Sequence, residues 1–225
     1  RRISKSSALV ADKVTLKNLY QINVFESLSL TLNPGETVAL SGPSGSGKSL
    51  LLAGLAGIVD PIAGQFSLDN EPLTRLDGSV IGDAIRLVRN NTLITGTILD
   101  NIRFYDPSIP ESDVLELMTK IGADKILATY PDGLRSNVEG TGELFPSDFR
   151  TQICLAREVI STPYAIFVDG LLDGLSKPAK RKLLSVLTAP DASWLLVAAT
   201  SCDTVRESCS RRLDIMDMAI TEVSI

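Results

Sequence analysis

The stretch Gly42-Pro43-Ser44-Gly45-Ser46-Gly47-Lys48-Ser49 fits the pattern G-x-x-x-x-G-K-[ST] at every fixed position. Each fixed residue type has a physical task. Glycines let the backbone turn its N–H groups inward, so that they cradle phosphate oxygens at the start of a helix, where the dipole favours an anion. A lysine at 48 adds a point charge, and the hydroxyl of Ser49 is a ligand for Mg²⁺. The surroundings agree. Glu36-Thr37-Val38-Ala39-Leu40 is a short apolar run before the loop, and Leu50-Leu51-Leu52-Ala53-Gly54-Leu55 opens a buried helix after it. Strand, glycine-rich loop and helix in this order point to a nucleoside triphosphate pocket formed by Gly42, Pro43, Ser44, Gly45, Ser46, Gly47, Lys48, Ser49 and Leu50.

Working outward, the composition bounds the class of protein. With 225 residues, 44% hydrophobic and 22% charged, the chain can bury one large α/β core or a main domain with a small lobe. The longest apolar stretch, Leu50 to Val59, falls well short of the roughly 20 residues that span a bilayer. A net charge of −5 without a dense Lys/Arg stripe argues against nucleic acid as a partner. Arg211-Arg212 and Lys180-Arg181-Lys182 read as solvated helix faces. Cys154, Cys202 and Cys209 lack metal-ligand spacing, and the odd count suits a reducing compartment. The chain contains no histidine, which removes the commonest general acid or base near neutral pH.

In chain order, Arg1 to Asp12 is polar and aperiodic and reads as a linker. Val14–Tyr20, Val24–Leu32 and Gln65–Asp69 carry strand formers between turn signals, which predicts a small antiparallel sheet beside the phosphate loop. Leu87-Val88 is a short strand followed by a polar loop, Arg89 to Thr97. Apolar spacing predicts a helical segment over Glu111–Tyr130 with Ser112 as N-cap, and a helix from about Asp148 to Ile160. Tyr164-Ala165-Ile166-Phe167-Val168-Asp169 reads as a buried parallel strand ending in an acid. Leu183–Leu187 is helical, Trp194–Ala199 is a second buried strand, and Ile215–Val223 is a terminal strand pair. An acid at the end of such a strand holds Mg²⁺ in phosphate-loop proteins, so Asp169 is the metal candidate with Ser49. Its alternative role is to cap a helix.

Nearly the whole chain, about residues 14 to 223, resembles the ATP-binding cassette family, and within it the nucleotide-binding domains of exporters and type I secretion transporters. The resemblance is carried by Phe25 to Glu36 leading into the phosphate loop and by Gly64 to Leu73 after the first helix. Thr95-Gly96-Thr97-Ile98-Leu99-Asp100-Asn101-Ile102 and Tyr130-Pro131-Asp132-Gly133-Leu134-Arg135-Ser136-Asn137-Val138 are similar to exporter segments in particular. It implies an α/β phosphate-loop core, mainly a parallel sheet with helices, plus a small antiparallel β lobe and a helical subdomain over about residues 90–160. It also implies ATP and Mg²⁺ as ligands, a transmembrane domain and a second nucleotide-binding domain as partners, and a place on the cytoplasmic face of a membrane. Residues 1–12 would then link a preceding transmembrane region to a domain over 13–225, with membrane contact only through that region.

The departures from the family carry as much information. The family's loop glutamine, which contacts Mg²⁺, falls on Arg89, and guanidinium has no lone pair for a metal. Asn90 or Asn91 could supply a carbonyl oxygen instead. The family's LSGGQ signature falls on Phe145-Pro146-Ser147-Asp148-Phe149, although Arg150, Ile153, Leu155, Ala156 and Arg157 still match. Two glycines become Ser147 and Asp148, which places a negative charge where an anion should dock, and Pro146 removes an N–H donor. The family's catalytic glutamate is Gly170 here, and its late-strand histidine is Thr200. The following loop, Leu171-Leu172-Asp173-Gly174-Leu175-Ser176, also departs from the pattern. Tyr20 reads as core rather than as an adenine platform, and Phe25 more so.

General-base catalysis contributes about 10²–10⁴-fold, and positioned charge in phosphoryl transfer about 10³–10⁵-fold. A chain lacking both is expected to bind ATP and hydrolyse it weakly or not at all. Two alternatives stand beside this expectation. One is an active transport ATPase with relocated groups, Arg89 replacing metal charge and Asp173 orienting water. The other is a pseudo-ATPase that binds no nucleotide and serves as a regulatory or structural surface.

Overall fold

Strand formers alternating in and out of a core make the first two elements, and the computed structural model describes them within residues 7–223. Strand β1 (Leu9–Lys17) turns back into β2 (Asn23–Leu32), burying Leu9, Val14, Leu16, Phe25 and Leu32 on one face. A fully buried strand, β3 (Thr37–Ser41), leads through the phosphate loop into α1 (Lys48–Leu55). Next come β4 (Ala63–Leu68), the short β5 (Glu71–Pro72), α2 (Gly78–Ala84) and β6 (Ile85–Val88). A two-residue strand, β7 (Gly96–Thr97), precedes α3 (Ile98–Ile102), α4 (Glu111–Lys120), α5 (Asp124–Leu127) and the equally short β8 (Asn137–Val138). The long α6 (Ser147–Ile160) is followed by β9 (Ala165–Asp169), α7 (Lys177–Leu187) and β10 (Leu195–Ala199). The described chain closes with α8 (Asp203–Ser208), β11 (Arg211–Met216) and β12 (Ala219–Val223).

These elements form two units. The first holds residues 7–87, 163–170 and 193–223. In it a six-stranded sheet runs β12-β11-β3-β10-β9-β6, with β11, β3, β10 and β9 parallel and β12 antiparallel at one edge. A separate four-stranded sheet runs β2-β1-β4-β5, antiparallel throughout the pairs β1/β2, β1/β4 and β4/β5. One core joins the sheets to α1, with Leu51, Leu52 and Leu55 packed among Leu16, Phe66, Val197 and Phe167. Side chains buried on both faces of β3, β9 and β10 explain why these strands read as continuous apolar runs. The second unit holds Val88–Thr162 and Leu171–Ala192 and is mainly helical. The α/β class, the small antiparallel sheet and the helical unit are as the sequence implies.

Several expectations need correction. The expected linker ends too late, because β1 already pairs from Leu9, where it faces Leu32 and Leu68; residues 1–6 lie outside the described residues. The helical unit is larger than 90–160, since it also takes in Leu171–Ala192. The Glu111–Tyr130 segment is helical as expected over Glu111–Lys120 and Asp124–Leu127, with Gly122, at φ +73°, between the two helices. Pro110, not Ser112, stands at the N-cap, and the Ser112 hydroxyl donates to Asp113 within the first turn. Arg211 and Arg212 open a strand, not a helix face. Arg211 donates to Thr31 O at 2.8 Å and pairs with Glu36 and Glu222, so it pins β11 to its neighbours. Lys180 is on a helix as expected but is buried, not solvated.

Candidate functional site

The parallel strands of the first unit set the level of the site. Leu40 on β3 and Asp169 on β9 both pair with Ala199 on β10, so the carboxyl ends of three strands finish side by side. Loops at the carboxyl ends of a parallel sheet are where α/β folds bind ligands. The phosphate loop leaves β3 there, Asp169 and Gly170 end β9 there, and Thr200 follows β10, its N–H donating to Leu40 O at 3.0 Å. Gly42, Pro43, Ser44, Gly45, Ser46, Gly47, Lys48, Ser49, Leu50, Asp169, Gly170 and Thr200 therefore belong to one unit and one end of one sheet.

The loop itself is built for an anion. Helix α1 begins at Lys48 with no side-chain cap, and its first helical bond runs from Leu51 N to Gly47 O at 2.8 Å. The N–H groups of Lys48, Ser49 and Leu50 precede that bond, so the helix itself offers them no acceptor. Gly47 is required twice over. Its φ is +98°, and a Cβ there would lie 2.3 Å from Val24 and 2.8 Å from the Phe25 ring. Phe25 is thus the wall behind the loop, as expected of a core residue. At Gly45 a Cβ would meet nothing within 4 Å, so the cradle is open at its tip.

Lys48 is turned onto its own loop. Its ammonium donates to Gly42 O at 2.7 Å and Pro43 O at 2.8 Å, with the Ser46 hydroxyl at 3.5 Å. A polyphosphate seated in the cradle would compete for the same three donors. Ser49 is exposed and Asp169 half-buried. Among the described residues no group of three or more Cys, Asp or Glu side chains gathers to hold a metal. A divalent cation would therefore depend on Ser49, Asp169 and the ligand's own oxygens, a donor set that suits Mg²⁺. The open cradle, the lysine and this pair of oxygen donors fit Mg·ATP.

Gly170 and Thr200 cannot act as a base. Gly170 has φ +76°, a left-handed conformation natural to glycine, and its N–H donates to Ala199 O at 3.0 Å. Thr200 is buried, and its hydroxyl accepts from Cys202 N at 3.0 Å. Thiol chemistry is also remote. Burial pushes the Cys154 and Cys209 thiols up to about 11, so neither is ionised near neutral pH.

The remaining candidates lie in the second unit. The Asn91 amide nitrogen donates to Ser147 O at 3.3 Å, the Ser147 hydroxyl at 3.2 Å and the Thr151 hydroxyl at 3.1 Å, tying the loop after β6 to the start of α6. Asn90 accepts from Thr92 N within its own turn. Phe145 and Phe149 are buried around Tyr130. The Tyr130 and Phe149 rings stack at 5.6 Å, and Phe145 meets Tyr130 edge-on at 5.0 Å. Asp173 gives its backbone carbonyl to Lys180 at 3.1 Å. Sequence reasoning missed one further group. Buried Asn101 binds Ile94 N and O and Thr97 O through its side chain, and Arg157 holds both its side chain and its carbonyl. The signal was present, since both residues sit in segments quoted for the resemblance.

Tyr20 corrects another expectation. It is 83% exposed, not core, and sits with Leu19 and Ile22 at the β1/β2 turn, where the Asn18 side chain accepts from the N–H groups of Tyr20 and Ile22. It is therefore available to stack on a flat ligand.

Fold and loop together define a phosphate-loop α/β domain with an added antiparallel sheet and a helical unit. Residues 25–170 match the family described as ABC transporter, and the chain belongs to that family. It is 32% identical over 74% of its length to the mycobactin import ATP-binding/permease protein IrtB of Mycolicibacterium thermoresistibile, covering 29% of that protein. It is 30% identical over 84% of its length to the mitochondrial potassium channel ATP-binding subunit of Rattus norvegicus, covering 27%. To rat antigen peptide transporter 2 it is 27% identical over 78%, covering 25%. The chain thus spans between a quarter and three tenths of these relatives. The fold also matches a solved bacterial Atm1-family ABC exporter with ATP bound, with TM-score 0.89 over 98% of this chain and 39% of that one, at 19% identity. Among the described residues no helix is long and apolar enough to cross a membrane.

Proposed function

We propose that this chain is the nucleotide-binding domain of an ABC exporter, of type I secretion kind, that holds Mg·ATP but hydrolyses it weakly or not at all. The observation that carries the reading is the contrast at one sheet end. The cradle before α1 is open and uncapped, while the position after Asp169 is a left-handed glycine with no base to offer. Gly42 to Leu50 bind the phosphates, Lys48 supplies the cation, and Ser49 with Asp169 holds Mg²⁺. Tyr20 is the available platform for adenine. Bound Mg·ATP supplies the phosphoryl group and a divalent charge. The domain works with a transmembrane domain and a second nucleotide-binding domain at the cytoplasmic face of a membrane. A site formed by Lys48 would lack the glutamate that Gly170 replaces, and the opposite site would meet Phe145 to Phe149, so two copies of this chain would not close tightly around ATP.

Calorimetric titration with Mg·ATP and with ATP alone tests this, beside Lys48→Ala and a phosphate-release assay. Micromolar binding that Lys48→Ala weakens about 10- to 100-fold, without phosphate release, is expected. Absence of heat and of any thermal shift would leave the loop as a relic and favour a purely structural domain. Steady turnover would favour the relocated ATPase, and Asp173→Ala would then have to slow it. Tight ATP-dependent homodimers in sedimentation would also overturn the reading.

A further inference from the structure

The segment from Gly170 to α7 is a loop, yet the second unit grips it at separate points. Leu172 and Leu175 are buried beneath it. From α6, the Asp148 carboxylate accepts the Ser176 N–H through both oxygens, each at 3.3 Å. From α7, the ammonium of Lys180, only 7% exposed, donates to Asp173 O at 3.1 Å. Ser176 is the N-cap of α7 and makes no side-chain cap bond of its own, and it is its backbone N–H that the Asp148 carboxylate accepts, as the N3 carboxylate does in a capping box. The same carboxylate stands in the first turn of α6, where it complements that helix's dipole. One anion thus serves the starts of two helices.

We propose that Asp148 and Lys180 form a clasp that fixes the 171–176 loop to α6 and α7, so that loop and helices move as one body. The clasp explains why this chain carries an acid at 148. A carboxylate supplied by the protein stands in the first turn of α6, where a small neutral residue would bring neither the charge nor the bond to Ser176. Asn91 strengthens the arrangement from the other side by holding Ser147, the residue before the latch. The inference rests on these bonds alone and does not require that the chain bind nucleotide.

Amide hydrogen exchange on the whole chain tests it, read by mass spectrometry in peptides covering 171–177 and, as a control, β9 and β10. Asp148→Gly and Lys180→Met should each speed exchange in 171–177 about tenfold, the scale of one charge-assisted bond, and leave the two strands unchanged. Asp148→Asn, which keeps the shape and an acceptor oxygen, should give a smaller increase. Unchanged exchange in 171–177 for Asp148→Gly would overturn the clasp. Equal acceleration in loop and strands would overturn it too, by showing general destabilisation. If the buried position of Lys180 makes its variant unfold, the two Asp148 variants still decide, because that side chain is only half-buried and can be removed without opening a core cavity.

Discussion

Two helix starts in this molecule are built from the same backbone parts and reach opposite ends. Helix α1 follows Gly47 and α6 follows Pro146, and neither has a side-chain cap. In each, the first helical bond leaves three N–H groups ahead of it, from Leu51 to Gly47 in one and from Arg150 to Pro146 in the other. Around α1 stand glycines, an open tip and the Lys48 ammonium. Around α6 stand two buried phenylalanines and the Asp148 carboxylate, which is bound to Ser176. A helix dipole is worth only about 0.3–1 kcal/mol for one charge, so it does not choose a ligand by itself. The local charge and free volume choose, and here they favour an anion at α1 and place a carboxylate of the protein's own in the first turn of α6.

That contrast can be broken at several strengths. The largest effect belongs to Phe149→Ala. If the segment 145–149 is structural, removing this fully buried ring from its stack on Tyr130 should cost about 3–5 kcal/mol in urea unfolding. A loss below about 1 kcal/mol would mean the aromatic cluster is not what holds α6 in place. Lys48→Ala should weaken Mg·ATP binding about 10- to 100-fold, the range of one charge-assisted contact. The midpoint of unfolding should barely move, because the ammonium's bonds to Gly42 O, Pro43 O and the Ser46 hydroxyl all lie within its own loop.

Gly170→Glu tests the proposal that the site lacks only a carboxylate beside Asp169. There is space for its Cβ, but a left-handed backbone makes a non-glycine residue cost about 1–2 kcal/mol. A modest fall in melting temperature with little gain in phosphate release is expected; a hundredfold gain would show that only this side chain was missing. The smallest effect is at Asp100, whose carboxyl is held below its usual range by the backbone N–H of Thr97 and then by its hydroxyl, in a capping box at the start of α3. Asp100→Asn should cost about 0.5–1 kcal/mol at neutral pH. Because the folded pKa is depressed, this contribution is present above the unfolded value near 4 and is lost as pH falls through the lower folded value. The variant's difference in unfolding free energy should therefore disappear in acid.

Much of this was legible from residue order. Gly42 to Ser49 announced the loop, and the apolar runs ending at Asp169 and Ala199 announced two strands buried on both faces, because such runs report burial through composition alone. Boundaries were less legible. Leu9 to Asp12 looked aperiodic, yet Leu9 and Ala11 point into the core of a strand paired on both sides, and its partners Leu32 and Leu68 lie far along the chain. Ser112 is a good N-cap by residue type, but Pro110 pre-set the turn two residues earlier. Tyr20 looked like core because tyrosine often is, whereas the Asn18 turn holds it outward.

By itself the sequence determined the phosphate loop, the succession of strands and helices, a glycine directly after Asp169 and an acid at 148. These follow from neighbouring residues, whose spacing and backbone preferences act without reference to the rest of the chain. Only the tertiary structure decided that Asp148 binds Ser176, that Lys180 is buried on Asp173 O, that Arg211 joins Glu36 to Glu222, and that Tyr130 gathers Phe145 and Phe149. Each of these is a pairing of polar or aromatic groups across a closed loop. Its partner is selected by the packing of whole elements, and no local pattern in the chain encodes that choice.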